Sequence, residues 1–91
     1  MRADRRDLNE AEYVSLWHSL GYVWVPMKPG QGFDGLLITP REIMIVEVKN
    51  PDHKWKLTKC ERDVKEEVER LGQTYHIVEH LEDAEYLAGI I

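Results

Sequence analysis

The sequence predicts one three-layer α/β sandwich, in which helices flank a mixed sheet of about four strands in the order α-β-β-β-α-β-α. Apolar residues recur at helical spacing in some segments, while shorter segments are rich in β-branched and aromatic residues. A short hairpin joins two consecutive strands, and a helix separates the last two strands, as a parallel pairing requires. The 91 residues have room for a single domain spanning 1–91.

The first half of the chain predicts one helix and three strands. Residues 8–20 carry an apolar stripe at steps of three and four, with Asn9 as the N-cap and Gly21 after the last apolar position. Three segments of strand-forming residues follow, at 22–27, 33–38 and 43–50. Between the last two, Thr39-Pro-Arg-Glu42 is typical of a hairpin connection.

The second half contains the clearest helix, at 58–71. Thr58 and Glu61 have the spacing of a capping box, and Gly72 follows the last turn. Five residues form an apolar stripe that we expect to face the core: Leu57, Cys60, Val64, Val68 and Leu71. A strand and a closing helix complete the chain, at 74–78 and 81–88.

Composition excludes several classes of protein. Apolar residues make up 43% of the chain and charged residues 32%, which is typical of a globular protein. The net charge of −5 argues against wrapping nucleic acid by bulk electrostatics. We expect no membrane span and no signal peptide, because no apolar stretch is long enough. With Cys60 as the single cysteine, a reducing cytoplasm is the expected location.

The hairpin register places two acidic residues opposite each other. If the connection is centred on Pro40 and Arg41, Leu36 faces Ile45, and the next pair on that face is Asp34 opposite Glu47. Lys49 lies two residues beyond Glu47 and therefore points to the same side of the sheet.

Opposed carboxylates destabilise a sheet unless a cation compensates them. Lys49 supplies one positive charge, and a divalent cation bound by Asp34, Glu47 and the backbone carbonyl of Val48 would supply more. Such an ion activates water and neutralises phosphate charge, as phosphodiester hydrolysis requires. A second interpretation stays open, in which Glu47 and Lys49 form a surface salt bridge on an edge strand and Asp34 ends a turn.

At these residues the sequence resembles the PD-(D/E)XK nuclease superfamily, and within it the small stand-alone VRR-NUC domains. Three segments carry most of the resemblance: Gly32-Phe-Asp-Gly-Leu-Leu-Ile38, Ile43-Met-Ile-Val-Glu-Val-Lys49 and Leu57-Thr-Lys-Cys-Glu-Arg-Asp63. The resemblance implies a restriction endonuclease-like fold, with Mg²⁺ or Mn²⁺ on Asp34 and Glu47 and with Lys49 assisting hydrolysis. It also implies structure-selective cleavage of DNA such as branched DNA, 5′-phosphate and 3′-hydroxyl products, and a homodimer.

The sequence departs from the family pattern at three places. The predicted first helix is about one turn shorter than the family pattern, in which this helix often adds a metal-facing glutamate; Glu10 is the nearest candidate for that role and Glu12 the alternative. Phe33 replaces the proline that precedes the acidic residue. Glu61 occupies the place of a frequent glutamine, and it is alternatively only the capping-box partner of Thr58.

A basic segment with one aromatic residue follows the proposed catalytic strand. Its members are candidates for contacts with DNA: Lys54, Trp55, Lys56 and Lys59. The alternative is a solvated loop in which Trp55 packs over the sheet. Gly30-Gln-Gly32 is too short to cradle a phosphate, so we expect no organic cofactor.

The sequence thus predicts a divalent-metal-dependent DNA endonuclease. Two other classes stay open: a module of the same fold that binds nucleic acid or protein without cutting, and a structural or dimerisation domain whose acidic cluster is incidental.

Overall fold

The computed structural model describes residues 6–91, and it contains three helices and four strands in the predicted order. Their bounds are α1 (Arg6–Ser19), β1 (Val23–Pro26), β2 (Gly35–Ile38), β3 (Ile43–Val48), α2 (Lys59–Arg70), β4 (Tyr75–Val78) and α3 (Leu81–Ala88). The predicted α/β class and the predicted mixed sheet are therefore confirmed.

The strands form one sheet in the order β1-β2-β3-β4. β1–β2 and β2–β3 pair antiparallel, and β3–β4 pair parallel across the α2 crossover. Leu36 pairs with Ile45, as the hairpin register predicts. Thr39 closes the connection, because its hydroxyl oxygen accepts hydrogen bonds from the backbone N–H groups of Arg41 and Glu42 at 3.2 Å each.

The hydrophobic core lies on one face of the sheet, under α1 and α3. Alternate strand residues point into it, together with aromatic residues of α1: Tyr13, Trp17, Leu37, Met44, Val46, Val48 and Val78. Trp17 is fully buried, and its indole Nε1–H donates to the carbonyl of Ala84 at 3.1 Å. This bond satisfies the one polar group of a large core side chain and ties α1 to α3.

The opposite face of the sheet carries α2, which packs over β4. The capping box of Thr58 and Glu61 is present, and Gly72 follows the helix with φ +82°. The predicted core position of Cys60 is wrong, because Cys60 is exposed. Of the other stripe residues, Leu71 is 68% exposed, while Leu57, Val64 and Val68 are partly buried. A single strand is too narrow to cover the whole stripe.

The predicted N-cap of the first helix is also wrong. α1 begins at Arg6, so Asn9 lies inside the helix. No proline or glycine interrupts residues 6–8, and these residues have enough helix propensity to extend the helix toward the N-terminus.

Candidate active site

Asp34 lies directly before β2 and is held against β3 by both its backbone and its side chain. Its N–H donates to the carbonyl of Val46 at 2.9 Å, and its carbonyl accepts from the N–H of Met27 at 2.8 Å. Its carboxylate Oδ2 accepts from the N–H of Val48 at 2.7 Å. Asp34 is only 3% exposed, so a short charge-assisted hydrogen bond fixes a buried carboxylate at this position.

Glu47 is the second buried acid of the site. Its neighbours Val46 and Val48 point into the core, so Glu47 points to the opposite face, where α2 lies. It is 4% exposed. The pKa of Glu47 is raised to about 8, chiefly by burial and then by the nearby charges of Asp34 and Glu61, while Lys49 lowers it in part. The two acids that the register predicts as a pair do lie close together.

Lys49 lies between two carboxylates. Its Nζ is 3.1 Å from Oε2 of Glu47 and 2.9 Å from Oε1 of Glu61. Burial lowers the pKa of Lys49, but the hydrogen bonds and charges of Glu61 and Glu47 outweigh it, so the net pKa is raised. Lys49 is therefore an ammonium ion at neutral pH. β3 is an inner strand, and Asp34 and Glu47 are both buried. The alternative of a surface salt bridge on an edge strand therefore does not describe this arrangement.

Glu61 belongs to the site as well as to the capping box. Its Oε1 accepts from the backbone N–H of Thr58 at 2.9 Å and from Nζ of Lys49 at 2.9 Å. Burial raises the pKa of Glu61, whereas the hydrogen bonds from Lys49 and Thr58 outweigh it and lower the pKa overall. One side chain thus completes the capping box and also binds the ammonium of Lys49.

Asp34, Glu47 and Glu61 line a cavity of about 150 Å³ between α2 and the sheet, together with Gly32, Phe33 and Cys60. Gly32 has φ +92°, and a Cβ atom there would clash with the side chain of Val64, so glycine is required where the loop passes under α2. The hydroxyl of Tyr75 donates to the Gly32 carbonyl at 2.6 Å and secures this loop.

The donor set fits a hard divalent cation. Among the described residues, no group of three or more His, Cys, Asp or Glu side chains is arranged to hold a metal ion. The protein donors would therefore be the carboxylates of Asp34 and Glu47 and the carbonyl of Val48. The N–H of Val48 points toward Asp34, and within a strand the carbonyl of a residue points to the same side as its N–H. Mg²⁺ is commonly bound by one or two carboxylates, with the other ligands from water and phosphate.

The glutamates of the first helix do not join this cavity. Glu10 is partly buried and lines a separate cavity with Ala11, Val14, Trp24 and Pro26, while Glu12 is exposed. The side chains of α1 that face the sheet pack into the core, which lies on the face opposite Glu47. The structure therefore does not bring the expected helix glutamate to the proposed metal ligands.

The candidate DNA-contacting residues lie on the surface beside the site. Lys54, Lys56 and Lys59 are exposed, and Lys59 forms an ion pair with Asp63 at 2.9 Å. Trp55 is 37% exposed, and the centroid of its ring lies 5.7 Å from Nζ of Lys49. This aromatic residue is thus a neighbour of the proposed catalytic lysine.

The buried carboxyl of Glu47 has a consequence for the stability of the metal-free protein. Its pKa rises from 4.5 to about 8 in the folded chain, so between these pH values the folded state binds more protons than the unfolded state. The free energy of unfolding therefore falls as pH rises through this window. We expect Glu47→Gln to remove this decline and to raise the melting temperature at pH 8 by at least about 4 °C.

Thermal unfolding followed by circular dichroism in the presence of EDTA measures this effect between pH 5 and pH 8. Glu82→Gln is the matched control, because it removes one acidic charge from an exposed position of α3. The prediction fails if the wild-type melting temperature does not fall from pH 5 to pH 8. It also fails if Glu47→Gln melts at a lower temperature than the wild type at pH 8, because ionised Glu47 would then not destabilise the fold.

Comparison of the chain with protein-family models, with curated proteins and with solved structures finds no match. No helix in the described part of the chain is long and apolar enough to cross a membrane.

Proposed function

We propose that this chain is a Mg²⁺- or Mn²⁺-dependent DNA endonuclease with a restriction endonuclease-like fold of the VRR-NUC type. One observation carries the proposal: two carboxylates, 3% and 4% exposed, lie side by side with an ammonium group beside them. Burying like charges together lowers the stability of the fold. A binding module or a structural domain that holds no metal would be more stable without one of the two carboxylates. A divalent cation offsets that cost and supplies a reason to keep both.

Each residue has a distinct role in the proposed reaction. Asp34 and Glu47 hold the ion together with the carbonyl of Val48, and the hydrogen bond from the Val48 N–H fixes the orientation of Asp34. When bound, the ion lowers the pKa of water and neutralises charge on the phosphate. Lys49 directs its ammonium at the attacking water and the phosphate oxygens. Glu61 restrains Lys49 through the 2.9 Å ion pair.

The proposed substrate reaches the site from the surface that bears Trp55 and the exposed lysines Lys54, Lys56 and Lys59. With a net charge of −5, the chain would contact phosphates through this local basic segment and not by bulk electrostatics. Recognition would then follow the shape of the DNA, including branched DNA, more than its base sequence. The products would carry 5′-phosphate and 3′-hydroxyl ends.

A cleavage assay with purified protein tests the proposal. Supercoiled plasmid and synthetic branched DNA are incubated with Mn²⁺ or Mg²⁺, and EDTA is added to a parallel sample. We expect cutting that requires the metal and stops with EDTA. DNA binding without cutting would favour the module that does not cleave, and neither binding nor cutting would favour the structural domain.

We also propose that a second copy of the chain covers the apolar part of the α2-bearing face. Six aliphatic side chains lie there in two rows across β1, β2 and β3: Val23, Val25, Leu36, Ile38, Ile43 and Ile45. Val23, Val25 and Ile43 are 51%, 38% and 65% exposed, and Leu36, Ile38 and Ile45 are partly buried. The helix α2 packs over β4 and not over these three strands. A flat aliphatic surface can pair with itself about a two-fold axis, and it adds apolar burial that a 91-residue chain lacks.

Ile43→Lys tests this dimer. Ile43 is 65% exposed at the first position of β3, so the substitution leaves the monomer folded while placing a charge in the proposed interface. We expect sedimentation velocity to show a dimer for the wild type and a monomer for the variant. Glu42→Lys, at the exposed neighbouring position, is the control for the added charge. A monomeric wild type, or an Ile43→Lys dimer as tight as the wild type, would refute the interface.

A further inference from the structure

Trp55 is held in place by a hydrogen bond from its own indole. Its Nε1–H donates to Oε2 of Glu79 at 2.7 Å, across 24 residues of sequence. The ring centroid lies 5.7 Å from Nζ of Lys49, within the range of a cation–π contact. The segment 54–58 has no regular secondary structure, so this bond fixes an otherwise irregular segment next to the catalytic lysine.

Glu79 is itself fixed to the helices on the other face of the sheet. Its N–H donates to Oδ2 of Asp83 in α3 at 2.9 Å. Its carbonyl accepts from the hydroxyl of Tyr13 in α1 at 3.0 Å. Glu79 follows β4 directly, so its side chain projects from an anchored point at the end of the sheet. The Trp55 indole is therefore hydrogen-bonded to a residue whose backbone is tied to both α1 and α3.

We propose that Trp55 and Glu79 are positioning residues for Lys49, an inference that rests on the proposed endonuclease function. A lysine side chain has four rotatable bonds, and ordering it at one position costs conformational entropy. Two carboxylates attract the Lys49 ammonium from one side, and the negative face of the indole attracts it from another. The Trp55–Glu79 pair thereby keeps the ammonium where it meets the phosphate.

Three substitutions distinguish the contribution of the Trp55 ring from that of its hydrogen bond to Glu79. Glu79→Ala removes the acceptor, Glu79→Gln keeps an oxygen acceptor without the charge, and Trp55→Phe keeps a ring without the N–H donor. We expect Glu79→Ala and Trp55→Phe each to lower kcat about tenfold, while KM for DNA changes by less than about twofold. Glu79→Gln should retain kcat within about threefold of the wild type. The control is Glu82→Ala, which removes an exposed charge nearby in the sequence.

The double variant Trp55→Phe, Glu79→Ala decides whether the two residues act together. Either single change breaks the same hydrogen bond, so the double variant should be no slower than the slower single variant. Independent roles would instead multiply the two losses to about a hundredfold. A multiplied loss, a Glu79→Gln variant as slow as Glu79→Ala, or an unchanged kcat in Glu79→Ala would each overturn the inference.

A readout that needs no cleavage keeps this inference separate from the proposed function. In NMR spectra, the ε-methylene protons of Lys49 should show a ring-current shift from Trp55 that Glu79→Ala reduces and Glu79→Gln retains. If the wild type cuts no DNA but the shift responds in this way, the endonuclease proposal fails while the coupling of Glu79, Trp55 and Lys49 stands. If the wild type cuts DNA and the shift is the same in Glu79→Ala, the Trp55–Glu79 pair does not position Lys49.

Discussion

Asp34→Asn should abolish metal-dependent cleavage while leaving the fold intact. The amide oxygen of asparagine can still accept the hydrogen bond from the N–H of Val48, which Oδ2 of Asp34 accepts at 2.7 Å. The substitution therefore keeps the shape and the backbone contact, and it removes one of two negative charges that would hold the ion. We expect kcat to fall at least about a thousandfold, the scale of losing several kcal/mol of transition-state stabilisation.

Single-turnover cleavage of plasmid or branched DNA in Mn²⁺ measures this loss, and thermal unfolding with EDTA checks the fold. Asp52→Asn, an exposed carboxylate in the segment after β3, is the matched control. If Asp34→Asn protein cuts DNA at the wild-type rate, either Asp34 is not a ligand of the catalytic metal or the activity comes from a contaminating nuclease.

Lys49→Met should lower kcat about a hundredfold or more, the range found for removing one preorganised donor from a transition state. Methionine keeps most of the apolar stem that lies beside Trp55, but it removes the ammonium group between Glu47 and Glu61. Lys49→Arg should not restore the rate, because the planar guanidinium differs in reach and donor geometry from a compact ammonium.

This loss should appear in kcat while metal binding persists, since neither proposed carboxylate ligand changes. Isothermal titration of Mn²⁺ into Lys49→Met protein measures the second part. Lys54→Met, at an exposed position outside the ion pairs of the site, shows how much of any effect comes from lost positive charge near DNA. If the Lys49→Met and Lys54→Met variants cleave DNA at equal rates, Lys49 has no specific role in the reaction.

The hairpin that builds the site was predictable because its determinants are local. Alternating apolar residues fix which face each strand buries, and the short connection through Thr39 fixes which residues pair. From these two constraints the sequence places Asp34, Glu47 and Lys49 on one side of the sheet, and the structure agrees.

The remaining contacts depend on how separate elements pack, which no spacing in the sequence records. Glu61 reaches Lys49 only because α2 crosses over this part of the sheet, and Trp55 meets Glu79 only because the segment after β3 folds back to the end of β4. The apolar spacing of α2 predicts a core position for Cys60, which is exposed, because periodicity identifies an apolar face and not the area available to cover it.

A crystal soaked in Mn²⁺ and measured for anomalous scattering shows whether Asp34 and Glu47 bind a divalent cation. We expect an ion between these two residues, with an oxygen of each carboxylate and the carbonyl of Val48 among its ligands. The same soak of the Asp34→Asn protein should leave that position without a peak. Anomalous density only at other positions, or none at millimolar Mn²⁺, would contradict the account.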